Sequence, residues 1–543
     1  NNDAAYTYDY IYYNQNHPYA ADKGRILDRN RFVMTNTIDL YANYNRKIGE
    51  DFELGAMVGH SFLKTRSRTS YIDAQNYPSP AFDVASVAAN IVDASAGLSE
   101  YAIESYFARL SLAYKDRYVV NATIRTDGSS RFAPDCRWGW FPSVSVGWNV
   151  SNESFWNAEK TDLKIRASYG RTGNQDGISN YGWQALISGG VNYGGQSGIA
   201  ISSSGNDRLT WETADQYNAG FDLSFLGGKI NMIADVYLKN TNNLLYSKPV
   251  HATTGETSIL SNIGSMRNKG VEFTINTHLN LGKVLWSSSF NIARNVNKLT
   301  SLLEDDLLSI GANRALKLGR TVGSWYIFRT DGIYQYDGEV PQALYDKGVR
   351  AGDVKYWDRN GDGNITDDDR IVTGNPNPKF SGGWNNTFKY KGLELSLFFT
   401  YSYGNDVYAS WMIHGSKPGY TRSLLKAYAD NRWTGPGTSD KYPRAIYSYS
   451  GWNGKNSTMY LTDGSFIRLR SVTLGYTFPQ RLVSKIHLKG LRVYAQGDNV
   501  FLCSRYPGWD PETSVNLDPR FYGEDNDGVP QPRIFKLGVN ITF

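Results

Sequence analysis

Strict alternation of apolar and polar side chains is the feature that most limits how this chain can fold. Residues 217–225, YNAGFDLSF, place Tyr217 and every second residue after it on one face and Asn218 and its alternates on the other. The segments 271–279, VEFTINTHL, and 393–401, LELSLFFTY, alternate in the same way. Because successive side chains of a strand point to opposite faces, the pattern predicts β-strands with one apolar and one polar face.

Very short turns join these strands at one end, and long irregular stretches join them at the other. FLGGKI follows the first of the three strands, LGKVL follows the second, and YKGLE precedes the third. Short periplasmic turns with long extracellular loops are typical of an outer-membrane barrel, whereas a soluble sandwich rarely carries many long loops at one end. We therefore predict an all-β chain that forms a transmembrane antiparallel β-barrel. The predicted loops are rich in Asn, Gly, Ser and Trp and cover approximately 66–104, 171–213, 241–268, 297–383, 403–465 and 501–533.

Composition agrees with this class and excludes others. Aromatic residues make up 14% of the chain and glycines number 53, which favours strands and turns. The net charge of +5 is spread without a basic block, so no nucleic-acid partner is expected. No apolar run reaches the roughly 18 residues of a membrane helix, and the mean hydropathy of −0.47 is compatible with strands that alternate lipid-facing and lumen-facing residues. Cys136 and Cys503 leave a disulfide open.

Two further segments carry membrane-barrel signals. The aromatic cluster RWGWFPSVSVGW, at 137–148, suits the interfacial girdle of such a barrel. The chain closes with FKLGVNITF, whose alternate residues from Phe535 to Phe543 form one apolar face. A final amphipathic strand ending in Phe resembles the terminal signal read by the outer-membrane barrel assembly machinery, so Phe543 is predicted to act as a C-terminal assembly signal.

The strand count predicts that part of a larger barrel is absent from this sequence. The alternation predicts about fifteen strands, the first near Phe32, whereas bacterial single-chain barrels have an even number. The first strand also begins on the loop side, while both ends of such a barrel lie on the short-turn side. We therefore expect 1–543 to be the C-terminal portion of a barrel whose plug and first strands precede it.

Residues 357–370, WDRNGDGNITDDDR, match the calcium loop of an EF-hand. Such a loop supplies oxygen ligands at alternating positions and from a final Glu, in place of which this sequence has Asp369, with glycine at its sharp turn. The flanking segments are rich in Gly, Pro and strand-forming residues, so the helices of an EF-hand are not expected. We predict a structural Ca²⁺ in a long loop rather than a calcium sensor, although an acidic surface turn would have a similar composition. The predicted ligands are Asp358, Asn360, Asp362, Asn364 (through its backbone carbonyl) and Asp369.

Long blocks distributed over essentially the whole chain resemble SusC/RagA-type TonB-dependent transporters. The order of these blocks also agrees with the family. The most specific are RTDGSSRFAPDCRWGWFPSVSVGWNVSNESFW (125–156), LTWETADQYNAGFDLSFLGGKI (209–230), DVKYWDRNGDGNITDDDRIVTGNPNPKFSGG (353–383) and DGSFIRLRSVTLGYTFP (463–479).

The resemblance implies a barrel of about 22 strands in the Gram-negative outer membrane, closed by an N-terminal plug. It implies a SusD-like surface lipoprotein as an extracellular lid and energy from the inner-membrane TonB–ExbB–ExbD system. It also allows a dimer of SusCD pairs. The expected cargo is an oligosaccharide or a peptide, and the sequence does not distinguish the two.

Aromatic residues of the predicted loops are candidates for contact with that cargo. A Trp or Tyr ring stacks against a sugar or apolar group, although loop aromatics also pack against a lid protein or each other. The candidates are Tyr181, Trp183, Tyr193, Trp411, Trp452 and Trp509.

Two other functions compete with active import. A secreted, calcium-binding, β-rich glycan-degrading enzyme would share the aromatic residues and the acidic loop, but GxSxG, HExxH and phosphate-binding glycine motifs do not occur. A passive porin would share the barrel. We predict a transporter rather than an enzyme.

Overall fold

The computed structural model describes a protein made largely of antiparallel strands. It describes residues 2–11, 24–79, 81–157, 160–251, 253, 255–256, 258–302, 306–416, 418, 423–446 and 451–543. In chain order the strands are β1 (Asn2–Ile11), β2 (Arg25–Ile48), β3 (Phe52–Gln75), β4 (Asn90–Tyr114), β5 (Tyr118–Ser129), β6 (Trp138–Asn149), β7 (Thr161–Asn174), β8 (Leu186–Gly189), β9 (Ile199–Ser203), β10 (Glu212–Phe225), β11 (Ile230–Asn242), β12 (Leu245–Pro249), β13 (Ser258–Asn262), β14 (Ser265–Leu281), β15 (Val284–Ser301), β16 (Leu307–Ile310), β17 (Arg314–Lys317), β18 (Trp325–Phe328), β19 (Thr330–Ile333), β20 (Val354–Tyr356), β21 (Arg370–Thr373), β22 (Phe380–Tyr390), β23 (Leu393–Tyr403), β24 (Asp406–Ala409), β25 (Leu461–Asp463), β26 (Phe466–Thr477), β27 (Gly490–Ser504), β28 (Glu524–Asp525) and β29 (Ile534–Thr542).

The helices are short and lie in connections. They are α1 (Gln342–Asp346), α2 (Trp411–Gly415), α3 (Lys426–Asn431) and α4 (Gln480–Val483). Single 3₁₀ turns occur at Ala85–Val87, Pro134–Cys136, Val150–Asn152, Asp337–Glu339, Asp367–Asp369, Thr458–Tyr460 and Ser484–Ile486. Within the described residues, no helix has the length and apolar character needed to cross a membrane.

The main sheet contains sixteen strands among the described residues, against about fifteen predicted from the alternation. Its order is β1-β2-β3-β4-β5-β6-β7-β10-β11-β14-β15-β22-β23-β26-β27-β29. The prediction missed β1, which pairs antiparallel with β2, and placed the start of β2 near Phe32 instead of Arg25. Because sixteen is even, the argument from an odd strand count does not hold.

The predicted asymmetry of the connections is confirmed. Short turns at 49–51, 115–117, 226–229, 282–283 and 391–392 join neighbouring strands at one end, where the connections 150–160 and 478–489 are longer and the second of them carries α4. At the other end the connection 130–137 is short, but most connections are much longer, and several of them fold. The prediction that 66–104 is a loop was wrong, because β3 continues to Gln75 and β4 begins at Asn90. The predicted irregular loops also contain ordered strands. Within 297–383, short strands form the sheet β16-β17-β18-β21, and β24 and β25 of 403–465 form the sheet β25-β24-β28 with β28 of 501–533.

The exposed face of the main sheet is the apolar one. On β10, Tyr217 and Phe221 are exposed, while Asn218 and Asp222, which follow them on the opposite face, are half-buried. This is the reverse of a soluble sheet, in which apolar side chains are covered, and it is the arrangement of strands whose outer surface contacts lipid.

Two compact units divide the chain. The first comprises Asn1–Gly147, Ser168–Asp215 and Thr241–Ile263, and the second comprises Trp148–Ala167, Gln216–Asn240 and Gly264–Phe543. A loop core in the first unit is built from Phe132, Phe141, Ile178, Leu209 and Trp211.

The second unit contains two buried clusters made from its long loops. One includes Trp325, Ile327, Val407, Tyr408 and Tyr460, and the other includes Phe328, Tyr334, Leu344, Val354 and Tyr356. Burial of these aromatic and aliphatic side chains orders segments that are too long to order by themselves.

The thiols and the C-terminus complete the fold. Cys136 and Cys503 are both free thiols.

β29 pairs with β27, and the alternate residues Phe535, Leu537 and Phe543 are strongly exposed. The role of Phe543 in assembly stays a prediction.

Candidate cation loop and binding loops

The predicted cation loop is a chain of side-chain-to-backbone turns. The Asp358 carboxylate accepts the backbone N–H groups of Gly361 at 2.7 Å and Gly363 at 2.8 Å. Asp362 accepts the backbone N–H of Asn364 at 2.7 Å. Both glycines have positive φ, +73° and +78°, which L side chains rarely adopt. The local sequence therefore curls the chain around its own acidic side chains.

Asp369 closes this loop from the buried side. Its carboxylate is wholly buried and accepts the backbone N–H groups of Arg359 at 2.9 Å and Thr366 at 2.7 Å. Thr366 and Asp369 also form a reciprocal cap on the 3₁₀ turn Asp367–Asp369. Asp369 thus joins the two ends of the loop through hydrogen bonds to Arg359 and Thr366.

The oxygen donors of this loop suit a hard cation, but a neighbouring lysine adds a positive charge that opposes cation binding. A carboxylate oxygen that accepts one N–H keeps a further lone pair, so Asp358 and Asp362 retain oxygens for a cation. Lys347 donates to the side-chain oxygen of Asn364 at 2.7 Å, so the backbone carbonyl is the oxygen that Asn364 would offer to a cation, and Lys347 brings a positive charge to the loop. In the described part of the chain, no three His, Cys, Asp or Glu side chains cluster as a metal site.

Two of the predicted cargo residues are built into the loop cores of the second unit. Trp411 packs against the cluster around Trp325, and its indole N–H donates to the Tyr506 hydroxyl at 3.1 Å. Burial, together with the hydrogen bond that Tyr506 donates to Asp525 at 2.5 Å, raises the pKa of Tyr506, so this hydroxyl stays protonated. Packing and hydrogen bonding therefore fix the orientation of Trp411.

Trp452 is fixed in a similar way. Its indole N–H donates to the Val354 carbonyl at 2.9 Å, and its ring meets Tyr356 edge to face with 5.4 Å between centroids. Trp509, by contrast, is 80% exposed. Of these three residues, Trp509 offers the largest free aromatic surface to a ligand.

Of the three candidate cargo residues in the first unit, two are hydrogen-bonded to the backbone and one is exposed. The Tyr181 hydroxyl accepts the backbone N–H of Glu100 at 3.0 Å, and the Trp183 indole donates to the Ser130 carbonyl at 3.3 Å. Tyr193 lies between β8 and β9 and is 91% exposed. Tyr193 is thus the most accessible candidate in this unit.

Buried ionic contacts between loops were not anticipated from the sequence. Arg444 forms a two-pronged ion pair with Asp353, at 2.9 and 3.0 Å, and Asn453 donates to the same carboxylate at 2.9 Å. The partners lie about one hundred residues apart in the sequence, so no local sequence pattern predicts these pairs.

Arg314 is a second unanticipated contact. It is wholly buried, lies 4.1 Å from the Trp325 ring, and donates to the carbonyls of Phe521 at 3.3 Å and Tyr522 at 3.0 Å. Burial lowers the pKa of Arg314 to about 10. The contact fastens the loop after β27 to β17.

Comparison with known proteins agrees with this geometry. A family model described as TonB dependent receptor-like, beta-barrel, matches residues 1–500. TonB-dependent receptor P26 of Formosa agariphila is 33% identical over 525 residues, which cover 92% of this chain and 52% of the relative. TonB-dependent receptor SusC of Bacteroides thetaiotaomicron is 29% identical over 531 residues, covering 93% and 50%.

The fold has a solved counterpart. The structure of the RagAB peptide transporter superposes with a TM-score of 0.85 at 23% identity, covering 100% of this chain and 59% of that one. The chain spans about half the length of the curated relatives it matches. Members of the TonB-dependent receptor β-barrel family lie in the outer membrane of Gram-negative bacteria. The match over residues 1–500, together with the exposed apolar face of the main sheet, establishes that the chain belongs to this family, in its SusC/RagA type.

Proposed function

We propose that this chain forms the barrel portion of an active importer that moves nutrients across the outer membrane with energy from TonB–ExbB–ExbD. The observation that carries the proposal is the family match over residues 1–500 on a sheet with an exposed apolar face. The names of the relatives support TonB-dependent transport in preference to the secreted glycan-degrading enzyme. Because the chain spans about half of those relatives, the plug and the TonB-contacting segment belong to the proposal.

A SusD-like lipoprotein is the proposed extracellular partner. The relative named SusC and the fold shared with the RagAB transporter support a two-protein arrangement, with the lipoprotein docked over the long-loop end of the barrel. A dimer of such pairs is part of the same proposal. The cargo is an oligosaccharide or a peptide, since RagAB is a peptide transporter but shares only 23% identity with this chain.

The cation loop is proposed to hold a structural Ca²⁺ on this extracellular side. Asp358, Asn360, Asp362, Asp369 and the carbonyl of Asn364 would supply its ligands. The support is the wholly buried Asp369 carboxylate and the oxygen-only donor set. A bound ion would stiffen the loop between β20 and β21 without taking part in transport chemistry.

Uptake by cells decides between active import and a passive pore. A strain lacking the full-length gene is grown on a panel of single glycans and of peptides, with the intact gene restored as control. If the protein is an active importer, the deletion strain should fail to grow on one class of cargo. Deleting tonB in the parent strain should produce the same growth defect. Growth that needs the gene but not TonB would support the porin, and growth independent of the gene on every cargo would reject import.

A further inference from the structure

Strands β2, β3 and β4 are much longer than a membrane requires. β3 has 24 residues and β4 has 25, whereas a strand crosses the bilayer core with about 9–11. On one face of β3 the alternate residues from Phe52 to Phe62 are mostly apolar, which accounts for one crossing. The remainder of β3 therefore extends beyond the lipid core toward the long-loop end.

The lipid-side face can be followed into this extension residue by residue. The pairing of β3 with β4 is regular from Phe52 to Asp73, without a bulge. Since side chains alternate strictly along a regular strand, Lys64, Arg66 and Arg68 lie on the same face as Phe52 and Phe62. All three cations are exposed.

Aromatic and polar residues mark the boundary between the apolar and the cationic parts of this face. Tyr106 lies 4.8 Å from the His60 ring and 6.1 Å from the Trp138 ring, measured between centroids. Rings of this kind concentrate at membrane–water interfaces. Glu104 is at the same level, where it accepts a 2.7 Å hydrogen bond from the Tyr106 hydroxyl and contacts His60 at 3.2 Å.

Positive charge exceeds negative charge immediately above this boundary. Glu100 is the carboxylate facing the three cations, 3.6 Å from Lys64 and 3.3 Å from Arg66. Arg68 forms no ion pair with any residue that the structure describes. The patch formed by Lys64, Arg66 and Arg68, called here the outer basic patch, therefore carries a net positive charge at the level of lipid headgroups.

Apolar side chains lie beside the same cations. Arg68 is paired across the sheet with Phe32 on β2 and with Leu98 on β4. Both apolar side chains are about half exposed, at 48% and 53%. A soluble anion would gain no binding energy from these apolar side chains, whereas an amphiphile can contact them and the cations together.

We propose that the outer basic patch binds the phosphate groups of an anionic, phosphate-bearing lipid in the outer leaflet. Arg66 and Arg68 suit two-pronged contact with phosphate oxygens, and Lys64 adds a point charge. Bound lipid would fix the height of the barrel in the membrane at β2–β4, independently of cargo and of the lid protein.

Lipid retention by the full-length protein tests this proposal. The protein is placed in phosphatidylcholine nanodiscs with and without diphosphorylated lipid A, and native mass spectrometry counts the lipid A molecules retained after release. Wild type should retain lipid A, and retention should fall as salt screens the patch. A parallel titration with inorganic phosphate distinguishes a lipid site from a site for the free anion.

Charge variants supply the direction of the effect. Lys64→Gln/Arg66→Gln/Arg68→Gln should weaken retention by about fivefold for each cation removed, and Glu100→Gln should strengthen it by a similar factor. The matched control, Arg29→Gln/Arg31→Gln/Arg109→Gln, removes three cations from the opposite face of β2 and β4 and should leave retention unchanged. The single variant Arg68→Gln changes an exposed residue and serves if the triple variant does not fold.

The outcomes either support or overturn the site. Loss in the patch variants with gain in Glu100→Gln supports it. Equal retention by wild type and Arg68→Gln, equal loss in the opposite-face control, or displacement of lipid A by inorganic phosphate at matched concentration overturns it.

Discussion

Arg468 and Asp510 form an ion pair of 2.5 Å although both side chains are almost completely buried. Arg468 lies on β26, and Asp510 lies in the connection that follows β27. Glu512 contacts the same guanidinium at 2.7 Å and also pairs with Arg470 at 2.6 Å. This cluster fixes the beginning of the last long loop to the main sheet.

Removing the Arg468 charge should release that loop. Arg468→Met leaves the buried Asp510 carboxylate without its cation, while Glu512 keeps Arg470, and breaking a buried pair in this way costs about 3–5 kcal/mol. Asp510→Asn should cost less, because Glu512 still neutralises Arg468. Trypsin cleavage at Arg520 measures the effect, with the fastest cleavage in Arg468→Met.

A surface pair in the same loop provides the control. Asp518 and Arg520 are partly exposed and contact at 2.5 Å, and such pairs contribute about 0–1 kcal/mol. Asp518→Asn keeps the trypsin site and should leave its cleavage nearly unchanged. Cleavage of Arg468→Met at the wild-type rate would show that the buried cluster does not hold the loop.

The membrane-crossing parts of the fold could be predicted from sequence, and the parts above the membrane could not. Where lipid covers one face, apolar and polar residues must alternate, and the strands at 217–225, 271–279 and 393–401 follow that rule. Beyond the hydrocarbon core neither face of a strand meets lipid tails, so outward positions at headgroup level, such as Lys64 and Arg68, can be charged. The alternation of apolar and polar residues then disappears, which explains why the pattern predicts a loop at 66–104.

The contacts between the long loops could not be predicted from the sequence for a different reason. Asp353 and Arg444, or Arg314 and Phe521, meet only after the long loops fold on each other, and their residue types are ordinary for exposed loops. The acidic turn at Asp358 is recognisable from the sequence because its acidic residues and glycines are close together in the chain. Sequence therefore identified the candidate cation loop but not the contacts that support it.

Chelation of Ca²⁺ should loosen the cation loop and leave the strands intact. Calcium at about 100 times its Kd would stabilise the closed loop by about 2.7 kcal/mol. Excess chelator should therefore speed trypsin cleavage at Arg359, and Asp358→Asn should be cleaved quickly even with calcium. Terbium luminescence sensitised by Trp357 gives an independent measure of binding.

The control for this prediction lies in α1, in the segment that precedes β20. Asp346 accepts a hydrogen bond from Gln342 outside the loop, so Asp346→Asn should respond to calcium as wild type does. Cleavage at Arg359 that is insensitive to chelator, together with no terbium signal, would contradict a bound cation.

Exposed and packed aromatic residues should separate in a ligand-binding assay. Trp509→Ala and Tyr193→Ala should weaken cargo binding by about 1 kcal/mol or more if these rings contact cargo, with little change in stability. Trp411→Ala should instead destabilise its loop core by about 3–5 kcal/mol. Titration calorimetry with the cargo identified by growth, and thermal unfolding, measure the two effects.

The outcome across all six aromatic positions decides the assignment. Replacing Tyr181, Trp183, Tyr193, Trp411, Trp452 and Trp509 one at a time tests each residue named from the sequence. Unchanged affinity in every variant would reject them as cargo contacts. A loss confined to variants that also unfold would assign those residues to packing.

Asp406 should make the loop region of the second unit more stable in acid than at neutral pH. Burial raises the pKa of Asp406, while the backbone N–H of Asn375, which donates at 2.8 Å, acts in the opposite direction. A carboxyl with a raised folded-state pKa binds its proton more tightly when folded. Its stabilising contribution is therefore complete below the unfolded value of 3.8 and is lost as pH rises through the folded pKa.

The variant Asp406→Asn removes this dependence while keeping an oxygen for the Asn375 N–H. Its stability relative to wild type should be higher near pH 7 than near pH 4, measured by thermal unfolding. Asp518→Asn should behave oppositely, because Arg520 lowers the pKa of Asp518 and that contribution is lost as pH falls. If both variants shift with pH in the same direction, burial does not control Asp406, because a general change of net charge would move the two alike.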